Sequence, residues 1–135
     1  MSATWLIAED DADIRNLVTV LVQSWGYNPL VFDTGERVWE WLDRVEQGQY
    51  NGPLPEFALM DIRMPGKKGN EVAGRMRTFS DLQNIPIVLM TAFALNADQQ
   101  DNMIKDGADQ IINKPLPDFD KLYRILQDVI RSKMN

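Results

Sequence analysis

The sequence predicts an α/β fold, a doubly wound five-stranded parallel sheet with helices on both faces. Three observations predict it. Short apolar runs alternate with longer segments of helical periodicity along the 135 residues. The third and fourth runs, Phe57 to Met60 and Ile85 to Met90, are apolar throughout, as strands covered on both faces are. Four of the five runs end in polar residues: Glu9-Asp10, Asp61, Thr91 and Lys114. Parallel sheets carry their functional sites at those carboxyl ends.

Trp5 to Ala8 is the first strand. Ile14, Leu17, Val18, Leu21, Val22 and Trp25 then follow helical spacing, and Gly26 stops the run. Leu30 to Phe32 reads as the second strand, and Thr34 as the N-cap of a helix burying Val38, Trp41, Leu42 and Val45. Trp39 is then expected to face outward. Gln47 to Pro55 holds two glycines and two prolines and is a loop. The third strand ends in Asp61, and Met64 to Gly69 cannot be regular structure. A helix follows with Val72, Met76 and Phe79 as its stripe. Pro86 must sit at the start of the fourth strand, since it cannot donate to a ladder. Asn96 caps a helix running to Asp106, which Gly107 ends. Gln110 to Asn113 is a short fifth strand, and Leu122, Ile125, Leu126, Val129 and Ile130 line the last helix.

Composition narrows the chemistry. The length fits one domain, residues 1–135. There is no cysteine and no histidine. That excludes disulfides, thiolate nucleophiles, imidazole bases and thiolate or imidazole metal sites. Any metal must be held by oxygen, which favours Mg²⁺, Mn²⁺ or Ca²⁺. The net charge of -6 (14 Lys+Arg, 20 Asp+Glu) argues against general nucleic-acid binding. No apolar run approaches the ~20 residues of a membrane span, and Met-Ser-Ala-Thr-Trp lacks the features of a signal peptide. The expected location is the cytoplasm.

The fold brings Glu9, Asp10, Asp61, Thr91 and Lys114 to one rim. Three carboxylates converging there repel one another unless a cation sits among them, and Mg²⁺ is its natural occupant. Taken singly, each has a plainer reading: a solvated loop, a turn, a strand end, a surface charge. Asp11 or Asp13 serves as well to cap the first helix.

Four segments together resemble a known family. Ile7-Ala8-Glu9-Asp10-Asp11, Leu59-Met60-Asp61-Ile62-Arg63-Met64-Pro65-Gly66, Leu89-Met90-Thr91-Ala92 and Asn113-Lys114-Pro115 are similar, in order and spacing, to the receiver domain of two-component response regulators. The resemblance implies a flavodoxin-like (βα)5 three-layer sandwich with strand order 2-1-3-4-5. It implies that Asp61 accepts a phosphoryl group from a histidine kinase or a histidine phosphotransfer protein. Mg²⁺ (or Mn²⁺) would be held by Glu9, Asp10, Asp61 and the backbone carbonyl of Arg63. Thr91, Ala92 and Lys114 would contact the phosphoryl group. Such a chain is a switch that catalyses only its own phosphorylation and dephosphorylation. It is expected as a monomer or a weak phosphorylation-dependent dimer. Its output would pass to a protein partner through the fourth helix, fifth strand and fifth helix, with no direct nucleic-acid binding.

Departures from the family pattern are informative. Ile111 stands where many receivers place an aromatic switch residue, so output is expected to rest on the backbone from Thr91 to Ala94. Arg63 and Phe93 occupy positions that tune water access and phosphate lifetime. Lys67-Lys68 reads first as a solvated loop and second as a contact for an acidic partner. Three rival readings exist. A Mg²⁺-dependent phosphatase with an aspartate nucleophile wants a second aspartate where Arg63 stands. A flavin-binding flavodoxin-like protein wants a glycine- and hydroxyl-rich phosphate loop where three acids stand. A receiver-like interaction module regulated without phosphorylation would not need the intact set.

Overall fold

The computed structural model describes residues 2–134. Its elements run β1 (Thr4–Ala8), α1 (Ala12–Ser24), β2 (Asn28–Phe32), α2 (Gly35–Glu46), β3 (Phe57–Asp61), α3 (Gly69–Met76), β4 (Ile87–Thr91), α4 (Ala97–Asp106), β5 (Gln110–Asn113) and α5 (Phe119–Met134). The five strands are all parallel, in the order β2-β1-β3-β4-β5. The α/β doubly wound class and the strand order 2-1-3-4-5 are therefore as expected.

Successive strand residues point to opposite faces, so β1 and β3 feed two separate cores. Trp5, Ile7, Phe57 and Leu59 pack with Val18, Val22, Leu122 and Leu126 of α1 and α5. Leu6, Ala8, Ala58 and Met60 pack with Trp41, Leu42, Val72 and Met76 of α2 and α3. Each fully buried aliphatic side chain is worth roughly 1.5–3 kcal/mol of transfer free energy, which is why these strands are apolar on both sides. By contrast, α4 buries no residue. Met103, half-buried, is its contact with the core.

Three helices, α1, α2 and α4, start where their caps say. The side chains of Asp11, Thr34 and Asn96 accept from the backbone N–H of Ile14 (3.0 Å), Arg37 (3.1 Å) and Gln99 (2.8 Å). Asp11 is thus a helix cap, one of the two roles open to it.

Four local expectations need correction. β4 begins at Ile87, two residues late, because Pro86 has no N–H and the N–H of Ile87 turns to the Asp109 carboxylate at 2.8 Å. α3 stops at Met76, and Phe79 reaches the core from the turn beyond it. Leu17 is 40% exposed on a helix whose buried residues are Val18, Leu21 and Val22. Trp39 is half-buried rather than outward-facing: the Lys67 ammonium lies 4.4 Å and the Arg75 guanidinium 4.6 Å from its ring centroid.

Candidate functional site

The carboxyl ends of β1, β3, β4 and β5 bring Glu9, Asp10, Asp61, Thr91 and Lys114 to one rim. Glu9 follows β1 and is fully buried, its N–H donating to the Phe32 carbonyl of β2 at 3.2 Å. Asp61 closes β3 and is 6% exposed. Asp10 is exposed. Each of the three offers a carboxylate oxygen, and these oxygens lie within 4.8 Å of one another.

Lys114 holds this cluster together. Its Nζ donates to Glu9 Oε1 at 2.5 Å and to Asp61 Oδ2 at 3.0 Å. Its backbone is anchored to the end of β4: the Lys114 N–H donates to the Thr91 carbonyl at 2.7 Å. Burial, aided by the neighbouring Asp61 carboxyl and opposed by Lys114, pushes the Glu9 carboxyl from 4.5 up to about 7. Burial works to lower the Lys114 ammonium, but its hydrogen bonds to Glu9 and Asp61 outweigh that, and the net direction is up. Lys114 is therefore a permanent counter-charge inside an acidic pocket.

The mouth of the site is framed by two residues two positions beyond the strand ends. The Arg63 N–H donates to Asp61 Oδ1 at 3.2 Å, and the Phe93 N–H donates to Thr91 Oγ1 at 3.1 Å. The Arg63 guanidinium then lies 4.0 Å from the Phe93 ring centroid, bridging the β3 and β4 loops. Thr91 is buried, whereas Ala92 beside it is exposed. Ile111 sits within β5, paired with Leu89.

Sequence reasoning missed two supports. Arg15 of α1 donates from Nη1 to the carbonyls of Glu9 (3.0 Å) and Asp10 (3.3 Å), pinning the acidic loop. Its helical spacing to that loop was the available signal. Gly69 opens α3 so close to β3 that a Cβ would collide with the Asp61 carbonyl oxygen, so any side chain there would displace the strand end.

The donor set is all oxygen, partly buried and anionic. It suits a hard divalent cation and offers nothing to a soft one. It also presents a carboxylate able to act as a nucleophile, with an ammonium beside it.

Comparison with known proteins agrees. The family model for the response regulator receiver domain matches residues 5–127. The phosphate regulon transcriptional regulatory protein PhoB of Escherichia coli is 27% identical over 127 residues, 93% of this chain. The chain spans about half the length of that relative, 51%. The polar-differentiation response regulator DivK of Brucella ovis is 28% identical over 116 residues, covering 86% of this chain and 87% of DivK. The receiver domain of the sensor histidine kinase PA1611 of Pseudomonas aeruginosa, solved with a magnesium ion in its active-site cleft, superposes with a TM-score of 0.78 at 24% identity, covering 97% of this chain and 99% of that one. A CheY-like receiver domain from Methanospirillum hungatei gives a TM-score of 0.77 at 22% identity, covering 99% and 98%. The chain belongs to the response regulator receiver domain family of two-component signalling.

Proposed function

We propose that Asp61 is the phosphoacceptor, taking a phosphoryl group from a phosphohistidine on a histidine kinase or histidine phosphotransfer protein. The observation that carries this reading is the juxtaposition of the buried Asp61 carboxylate, the Glu9–Asp10 pair and the Lys114 ammonium at one strand rim. The carboxylate attacks phosphorus, the P–N bond breaks as the O–P bond forms, and the imidazole leaves neutral, with the P–N electron pair on the released nitrogen and its proton on the other ring nitrogen. Hydrolysis later restores the carboxylate. The chain is a switch whose chemistry is confined to its own aspartate.

Glu9, Asp10, Asp61 and the Arg63 carbonyl are the residues suited to hold Mg²⁺ (or Mn²⁺). When bound, the ion neutralises charge on the phosphoryl oxygens. Lys114 turns one of its hydrogen bonds from carboxylate to phosphoryl oxygen. The Thr91 hydroxyl and the Ala92 N–H supply further donors. Turning Thr91 inward weakens its bond to the Phe93 N–H, and esterifying Asp61 alters its bond to the Arg63 N–H. The Arg63–Phe93 stack is thus tied at both ends to the reaction and sets how readily water reaches the phosphoryl group. With Ile111 in place of an aromatic, this stack and the Thr91–Ala94 backbone carry the signal toward α4, β5 and α5, the face read by a protein partner. All of this suits a cytoplasmic location, and no helix among the described residues is long and apolar enough to cross a membrane.

Incubation with acetyl phosphate and Mg²⁺, read by intact mass, tests the assignment. The parent chain gains one phosphoryl group and Asp61→Asn gains none. Equal labelling of both would refute it.

A further inference from the structure

At two places in the sequence a side-chain carbonyl can close a five-membered ring on the backbone nitrogen of a following glycine: Asn51–Gly52 and Asp106–Gly107. Glycine favours the reaction because it has no Cβ to shield its nitrogen. The structure separates the two places. Asp106 ends α4, and the Gly107 N–H is committed to the Ile104 carbonyl at 3.1 Å. The Asp106 carboxylate is engaged as well, accepting from Asn70 Nδ2 at 3.0 Å. Both reacting groups are therefore held where they are.

Asn51 and Gly52 are held by nothing comparable. Both are exposed, in the loop between α2 and β3. No hydrogen bond engages the Asn51 carboxamide or the Gly52 N–H among the described residues. The loop is tied on either side of them instead. The Tyr50 hydroxyl donates to the Pro53 carbonyl at 3.0 Å, and the Tyr50 ring meets Trp41 edge-on at 5.5 Å between centroids. The two residues are the untied middle of that closure, at a loop tip where backbone freedom concentrates. They reach the ring-closing geometry without any part of the domain unfolding. The place lies before the start of β3, away from the carboxylate rim, and does not depend on the function proposed above.

We propose that Asn51 is a modification site of the folded protein, deamidating through a succinimide formed with Gly52, with water as the co-reactant. The Gly52 nitrogen gives its proton to hydroxide and attacks the Asn51 Cγ. An N–Cγ bond forms, the carboxamide C–N bond breaks, and ammonia leaves with a proton from water. Water then opens the ring at either carbonyl, giving aspartate or isoaspartate. Each event adds one negative charge to a chain of net charge -6. The isoaspartyl product also lengthens the main chain by one atom inside the Tyr50–Pro53 tie. The test incubates the full-length folded protein in mildly alkaline buffer, with peptide mapping by mass spectrometry and enzymatic methylation of isoaspartate. The peptide holding Asn51 is expected to gain about 1 Da, an NH2 replaced by an OH, and to split into aspartyl and isoaspartyl forms. Its rate in the folded chain should lie within about tenfold of the rate in urea, because nothing has to open first. Asn51→Gln, whose ring would need six members, should stay unmodified. No mass gain at Asn51, isoaspartate arising first at Asp106, equal modification of Asn51→Gln, or a folded-state rate more than about tenfold below that in urea would each overturn the proposal.

Discussion

β1 and β3 each carry an aromatic ring at one end and meet a carboxylate at the other: Trp5 and Glu9, Phe57 and Asp61. At the first end the rings stack across neighbouring strands and are buried with nothing charged between them. At the second, like charges are forced together and held by one ammonium. Burying aromatic surface stabilises the sheet, whereas burying carboxylates costs free energy unless they are paired. One end of each strand thus offsets the other, a division common where a site must hold unfavourable charges ready for chemistry.

Unfolding measurements should separate the two ends most widely. Trp5→Ala is expected to cost ~3–5 kcal/mol in urea denaturation, as large-to-small aromatic changes in cores do. Asp61→Asn relieves repulsion from Glu9 and keeps the Lys114–Glu9 pair, so its stability should move by less than ~1 kcal/mol. Equal losses would break the comparison.

The pH dependence of stability sharpens it. The folded protein keeps a proton on Glu9 up to about 7, whereas an ordinary glutamate releases it near 4.5. The contribution of this group to stability is therefore present below 4.5 and lost as pH rises toward about 7. Glu9→Gln should remove that slope. Mg²⁺ binding, which needs the carboxylate, should tighten across the same window, and calorimetry should find it weakened at every pH by Asp10→Asn. A pH-independent affinity in the parent chain would contradict the placement of Glu9 in the ligand set.

The smallest effect belongs to the mouth of the site. An exposed cation–π contact is worth ~0.5–1 kcal/mol, so Arg63→Ala or Phe93→Ala should shorten the phosphoryl lifetime about two- to fivefold. The double variant should do no worse than either single one, since both remove the same stack. Additive losses would show that the two residues act separately.

These contrasts also show what a linear sequence can reveal. The carboxyl-end residues were legible because strand ends in a parallel sheet are topologically fixed, so Glu9, Asp61, Thr91 and Lys114 needed only their strands to be found. Residues placed by loop folding were not. Trp39 is covered by Lys67 and Arg75 only because the loop after β3 folds back onto α2, so closely that a Cβ on Gly35 would collide with the Lys67 carbonyl oxygen. For Arg15 the one signal was its helical spacing to the acidic loop, which does not say that the guanidinium would turn back onto the Glu9 and Asp10 carbonyls. The start of β4 was misjudged because the partner of the Ile87 N–H, Asp109, lies 22 residues away.

One quiet feature of the fold has a kinetic consequence. A helix that buries no residue, with Met103 as its half-buried anchor, is expected to open to solvent without the rest of the domain unfolding. Its amide protons should exchange with deuterium well before those of β1, β3 and β4, which are buried along their whole length. Reversing a two-state population from 1:99 to 99:1 requires about 5.5 kcal/mol. Two or three charge-assisted hydrogen bonds, at ~1.5–3 kcal/mol each, reach that figure. Under the proposed function, the bonds that a phosphoryl group on Asp61 gains would therefore suffice to shift a helix anchored this lightly.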